Sequence, residues 1–168
     1  ILSSALVVIT AACAGLPGDG ALMVQKDATY RANVKTGAFV ELSKGHCYYE
    51  LSGPAIDETD LPLLVLVHGY SVPSFVWDPT FDEAVRRRRP VLRFDLYGRG
   101  HSSNPDTIYD IELFAGQVIE LLDHLGFDDP VDLAGLSMGG PICIGAAANH
   151  PDRFRTLVLV SPSSFASN

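Results

Sequence analysis

The residues best suited to chemistry are Gly135-Leu136-Ser137-Met138-Gly139. A serine hydroxyl becomes a nucleophile once a neighbouring base takes its proton, and acyl transfer is the reaction it then serves. Gly-x-Ser-x-Gly alone is a loose pattern, and a glycine-rich turn with an idle serine is the plainer alternative. The flanks favour chemistry. Val131 to Leu136 is a short apolar run bounded by Pro130, as a buried parallel strand should be. A small, Ala-rich apolar segment follows and reads as a helix. Strand, Gly-x-Ser-x-Gly, helix is the context of a nucleophile elbow. A sharp strand-to-helix turn strains the serine backbone and pushes its hydroxyl out of the sheet edge. Strand and helix crowd that turn, so Gly135 and Gly139 supply positions without side chains. The helix N-terminus aims backbone N–H groups at the same spot and favours negative charge there.

A second group of residues complements the serine. His68-Gly69-Tyr70 follows an apolar run, Leu61 to Val67. A loop at the C-terminal end of a parallel strand faces the ligand crevice. The transition state of acyl transfer carries an oxyanion, which two fixed N–H donors stabilise. The N–H of Met138 is one candidate and that of Tyr70 the other, with Gly69 giving the backbone room. His68 sits on this oxyanion loop, so a structural role is expected for it rather than that of catalytic base. Tyr97-Gly98-Arg99-Gly100-His101-Ser102 lacks the third glycine of a dinucleotide loop, and Asn104-Pro105 follows where a helix should start. It reads as a tight loop shaping the crevice rim. Asp95 ends a strand and is expected to fix that loop, with triad acid as the alternative. Arg86 to Arg89 reads as a solvated helix end, where cations suit the dipole. Cys13, Cys47 and Cys143 have no metal-ligand spacing, and Cys143 reads as a small core residue.

The elements that must position these groups follow from hydrophobic period. Ala38 to Leu42 and His46 to Leu51 flank Ser43-Lys44-Gly45 and predict a hairpin. Leu61 to Val67, Pro90 to Asp95, Val131 to Leu136 and Arg155 to Val160 predict buried parallel strands. Phe75 to Arg89 and Ile111 to Leu125 predict helices. In the second, Ile111, Phe114, Ala115, Val118, Leu121, Leu122 and Leu125 share a face, and Gly126 caps it. Alternating strands and helices imply an α/β fold with a mostly parallel sheet, made mixed by the N-terminal antiparallel hairpin.

Composition sets outer bounds. The 168 residues are 47% hydrophobic and 19% charged, a globular composition with enough chain for one real core. The formal net charge of −8 argues against nucleic acid, whose phosphates need clustered Lys and Arg. Residues 1–20 are expected to form an apolar signal- or anchor-like segment and linker, ahead of a domain over 21–168. Ile1 to Ala14 is uncharged but shorter than the roughly 20 residues that span a bilayer. It reads as a cleaved secretory signal, as the tail of an anchor, or as a lipidation signal at Cys13; a plain N-terminal helix is the remaining option. A secreted or membrane-associated protein follows from the first three, a cytoplasmic one from the last. The chain starts at Ile1 and stops soon after the last strand, so it is expected to be part of a longer protein.

His68-Gly69-Tyr70, Phe94-Asp95 through Ser102, and Gly135-Leu136-Ser137-Met138-Gly139-Gly140 together resemble the three early signatures of the α/β-hydrolase superfamily, in that family's order, from about Ala38 to Pro162. The resemblance implies an esterase- or lipase-like serine hydrolase acting on a small-molecule ester or acyl substrate, without cofactor or metal. It makes Ser137 the nucleophile and gives the oxyanion hole to Tyr70 and Met138. A serine rather than an aspartate there argues against the dehalogenase and epoxide-hydrolase branches. The family's triad acid and histidine follow the serine in order Ser, Asp or Glu, His. His150 and Asp152 do not fit those places, so the acid, the histidine, the lid and the final strands are expected outside this chain. The 168 residues alone are then expected to be nearly inactive. Carbon–carbon bond hydrolysis on the same fold and a non-catalytic hydrolase-fold binding protein are the rival functions.

Overall fold

The computed structural model describes residues 24–163. The expected signal or anchor segment, with Cys13, lies outside them. Six strands form one mixed sheet: β1 (Ala38–Leu42), β2 (Gly45–Ser52), β3 (Leu64–Val67), β4 (Val91–Phe94), β5 (Val131–Leu136) and β6 (Phe154–Val160), in the order β1-β2-β4-β3-β5-β6. The β1–β2 and β2–β4 pairs are antiparallel, and the others are parallel. The chain steps from β3 to one side for β4, then crosses back to the other side for β5. Such a reversal leaves a crevice beyond the carboxyl ends of the strands.

The α/β architecture expected from the sequence is the one observed, and both faces of β3, β4 and β5 are covered. Leu92 and Phe94, Val65 and Val67, and Val131 and Leu133 pack on one face against Phe114, Val118, Leu121 and Leu122 of α3 (Ile111–His124) and Ile142, Cys143 and Ala146 of α4 (Gly139–Asn149). The alternate residues Val91, Leu66 and Ala134 pack on the other face with Trp77, Phe81 and Ala84. Phe81 and Ala84 belong to α2 (Asp78–Arg86). This two-sided burial is why the strands read as unbroken apolar runs. Strand β6, expected to be buried, is instead exposed at Leu157 to Val160 among the described residues, where no described element fully covers it.

Several boundaries differ from the sequence reading. Helix α1 (Ala28–Asn33) was not expected; it has no buried residue and so no apolar stripe to betray it. Its signal is Asp27, whose carboxylate accepts the Tyr30 N–H at 2.8 Å. The helix expected from Phe75 is a 3₁₀ turn (Ser74–Trp77) followed by α2, because Pro79 suits only the first α-helical turn. Strand β3 starts at Leu64 rather than Leu61, since Pro62 has no N–H for a ladder. The arginine run is only partly a solvated helix end. Arg86 and Arg87 do clasp exposed Glu83, but Arg89 reaches Asp132 at 2.5 Å and the Pro62 carbonyl at 3.2 Å.

Candidate active site

Ser137 joins β5 to α4 with φ +52, the left-handed region that side chains disfavour. Its backbone is held on both sides: its N–H donates to the Val160 carbonyl at 3.0 Å, and its carbonyl accepts from Gly140 at 2.9 Å and Ser163 at 3.1 Å. The neighbouring glycines are required by space. A Cβ on Gly135 would lie 2.3 Å from the Gly139 carbonyl oxygen, and one on Gly139 would lie 2.3 Å from that of Val67. Helix α4 starts immediately after Met138.

The parallel β3–β5 register, Val67 opposite Gly135, carries the two C-terminal loops side by side. A Cβ on Gly69 would sit 3.1 Å from Ser137 Cβ and 3.6 Å from its Oγ. The His68-Gly69-Tyr70 loop therefore lies against the serine. Among the described residues, no hydrogen bond uses the backbone N–H of Tyr70 or of Met138. Tyr70 is 68% exposed and Ser137 half-buried.

His68 is wholly buried. Its Nδ1 lies 2.7 Å from the Gly69 carbonyl, and its Nε2 lies 2.9 Å from the Leu96 nitrogen. A carbonyl only accepts and an amide only donates, so Nδ1 carries the proton and Nε2 accepts. The ring is neutral, with no lone pair left to take a proton from serine. Burial drives its pKa down, opposed by the Gly69 carbonyl and the nearby Asp95 charge. His101 is bonded to the Tyr30 hydroxyl at 2.7 Å, and exposed His150 caps the C-terminal end of α4.

Asp95 is buried, and its carboxylate accepts the Ser74 N–H at 2.8 Å and the His101 N–H at 2.7 Å. Its carbonyl accepts from Ser102 Oγ and, at 3.0 Å, from Gln117 Nε2. It stitches the loops after β3 and β4 together. A Cβ on Gly100, at φ +47, would collide with that carboxylate. Gln117 was missed in the sequence. Its Oε1 accepts the Tyr97 N–H at 3.0 Å. The available signal was a polar residue between Phe114 and Leu121, at helical spacing within an apolar face. Cys47 and Cys143 are buried thiols whose pKa burial pushes up, to about 12 for Cys47.

A cleft of about 710 Å³ opens beside this turn, with Tyr70, Pro73, Arg99, Tyr109, Phe114 and Met138 on its walls. The rim loop expected at Tyr97 to Ser102 contributes Gly98, Arg99 and Gly100 to it. A separate cavity of about 470 Å³, with Leu61, Pro130 and Arg155 in its lining, lies by the amino ends of the strands and holds none of the candidate residues. Among the described residues no group of three His, Cys, Asp or Glu could hold a metal ion, and no helix is long and apolar enough to cross a membrane.

Comparison with known proteins places this arrangement. A family model described as the alpha/beta hydrolase fold matches residues 62–168. The chain is 32% identical over 130 residues to the pig 1-acylglycerol-3-phosphate O-acyltransferase ABHD5, covering 75% of this chain and 36% of that protein. It is 34% identical over 102 residues to the 2-hydroxymuconate semialdehyde hydrolase of Pseudomonas sp. (strain CF600), covering 58% and 35%. The structure superposes on an esterase from Exiguobacterium antarcticum with a TM-score of 0.68 and 25% identity, over 76% of this chain and 46% of that one. The chain thus spans about a third of the length of the curated relatives it matches. With the sheet order, the serine turn and the family match in agreement, the chain belongs to the α/β-hydrolase family.

Proposed function

We propose that the full-length protein is a serine hydrolase that cleaves carboxylic esters or related acyl bonds through an acyl-enzyme on Ser137. The observation that carries this reading is the left-handed backbone of Ser137 between β5 and α4, crowded by glycines and bordered by the Gly69 loop. In this scheme Ser137 Oγ attacks the acyl carbonyl while a base takes its proton. The N–H groups of Tyr70 and Met138 hold the oxyanion, the alcohol leaves, and water releases the acid. The base and its orienting acid are a histidine and a carboxylate in the part of the protein that these 168 residues do not include. The engagement of His68 and Asp95 elsewhere supports that assignment. The 168 residues alone are expected to turn over little substrate.

The test is labelling of the full-length protein by a serine-directed fluorophosphonate. Ser137→Ala is expected to abolish labelling and ester turnover while leaving the circular dichroism spectrum unchanged. Undiminished labelling of that variant would overturn the assignment. Similarity to the 2-hydroxymuconate semialdehyde hydrolase favours a second reading, in which the same site hydrolyses a carbon–carbon bond. Profiling the protein against esters and vinylogous diketones separates the two.

A further inference from the structure

Arg99 stands in the cleft in an unusual setting. Its guanidinium carbon lies 4.7 Å from the Tyr70 ring centroid, 5.4 Å from that of Phe114 and 5.8 Å from that of Tyr109. Nη1 donates to the Tyr97 carbonyl at 3.2 Å, and Nε makes a long 3.5 Å contact with the Tyr70 carbonyl. Among the described residues Nη2 has no acceptor, and Arg99 has no carboxylate partner. Arg86, Arg87, Arg89, Arg93, Arg153 and Arg155 pair with carboxylates; Arg31 and Arg88 share with Arg99 the lack of such a partner among the described residues, but neither lines this cleft.

The turn that presents Arg99 is rigidly built. Gly98 and Gly100 both take positive φ, +77 and +47. The Arg99 N–H donates to the Leu96 carbonyl at 3.0 Å, and its carbonyl accepts from Ser102 at 3.2 Å. Buried Asp95 and Gln117 fix the same turn from beneath. Aromatic faces orient a guanidinium plane and shield it from water, while its edge donors stay free for a planar anion. Arg99 is half-buried, in a chain whose formal net charge is −8.

We propose that Arg99 recognises an anionic group, a carboxylate or a phosphate, on the substrate whose acyl carbon Ser137 attacks. The inference deepens the serine-hydrolase reading and rests on it. Met138, whose N–H is assigned to the oxyanion, shares the cleft wall with Arg99, so a substrate bound there presents one end to each. Arg99 makes no bond in the reaction; it sets specificity.

The experiment uses the full-length protein and two chromogenic esters of similar length. One is the mono-p-nitrophenyl ester of adipic acid, with a carboxylate at its far end; the other is neutral p-nitrophenyl heptanoate. The wild type is expected to prefer the adipate ester in kcat/KM. Arg99→Gln is expected to lower that preference at least about tenfold, mainly through KM, as befits loss of a charge-assisted contact. Arg99→Lys, which keeps the charge but not the fork, is expected to restore only part. A preference unchanged by Arg99→Gln, whether both rates fall together or neither does, overturns the proposal and leaves Arg99 as a brace for the Tyr70 loop. A binding measurement is independent of turnover. In the Ser137→Ala background, hexyl phosphate is expected to bind more tightly than hexanol by calorimetry, and Arg99→Gln is expected to erase the difference. Persistence of that difference without Arg99 also overturns the proposal. Absence of turnover and of phosphonate labelling in the wild type, with the binding result as expected, would instead count against the serine-hydrolase reading alone.

Discussion

Ser137 holds a conformation that costs a non-glycine residue about 1–3 kcal/mol, and it persists because its surroundings leave no alternative. The neighbouring glycines differ in what they protect. Gly135 faces the backbone of α4, which cannot retreat without moving the helix. Gly135→Ala is therefore expected to destabilise the full-length protein by about 3 kcal/mol, read as a lowered urea midpoint. Gly69 faces the serine side chain at a less severe distance. Gly69→Ala is expected to leave the urea midpoint nearly in place and to slow phosphonate labelling, by displacing the proposed nucleophile. At this scale the sequence was most informative: a Gly-x-Ser-x-Gly between a strand and a helix admits few packings. It was least informative for carboxylates. Asp95 at a strand end reads alike as triad acid or loop clamp, and only the Ser74 and His101 amides on its two oxygens decide.

The element that organises the cleft is the loop after β4, and it depends on α3. Gln117 accepts from Tyr97 and donates to the Asp95 carbonyl, both inside the core. Gln117→Leu leaves the Tyr97 N–H without a partner and the Asp95 carbonyl with Ser102 Oγ, and is expected to cost roughly 1–3 kcal/mol for the one orphaned group. Gln117→Glu keeps the acceptor but sets a buried carboxylate against the Asp95 carbonyl, and is expected to cost more. Equilibrium urea unfolding of the pair ranks them. Helix α3 itself was legible from its period, yet this function was not, because a glutamine in an apolar stripe does not name its partner. The same holds for Asp132, which draws Arg89 and Arg155 together from distant parts of the sequence. Long apolar elements announce themselves through repetition. Short α1, with no buried face, and polar ties across tens of residues have no period to reveal them.

For the molecule as a whole, buried neutral His68 links stability to pH. Its folded pKa lies below the ordinary 6.5, so below that pH the unfolded chain binds the extra proton more readily. Stability is thus fully present above about pH 6.5 and lost as pH falls from there toward the folded value. Asp132, whose carboxyl Arg155 holds below 3.8, adds its loss only at far lower pH. The thermal midpoint is expected to decline between pH 7 and pH 5, and His68→Asn to flatten that decline while lowering the starting value. The mostly parallel sheet, its antiparallel hairpin and the crevice at the strand ends followed from alternating elements, whereas sheet order and the faces the helices cover came only with the structure. So did one coupling: the peptide leaving β6 is bonded directly to residue 137, through Val160 and Ser163, and Pro162 occupies the space where Gly140 lacks a side chain. The exit of the last strand and the proposed nucleophile are tied by main-chain bonds alone. A pull on the polypeptide after Ser163 reaches the hydroxyl through main chain alone, with no side-chain relay to absorb it.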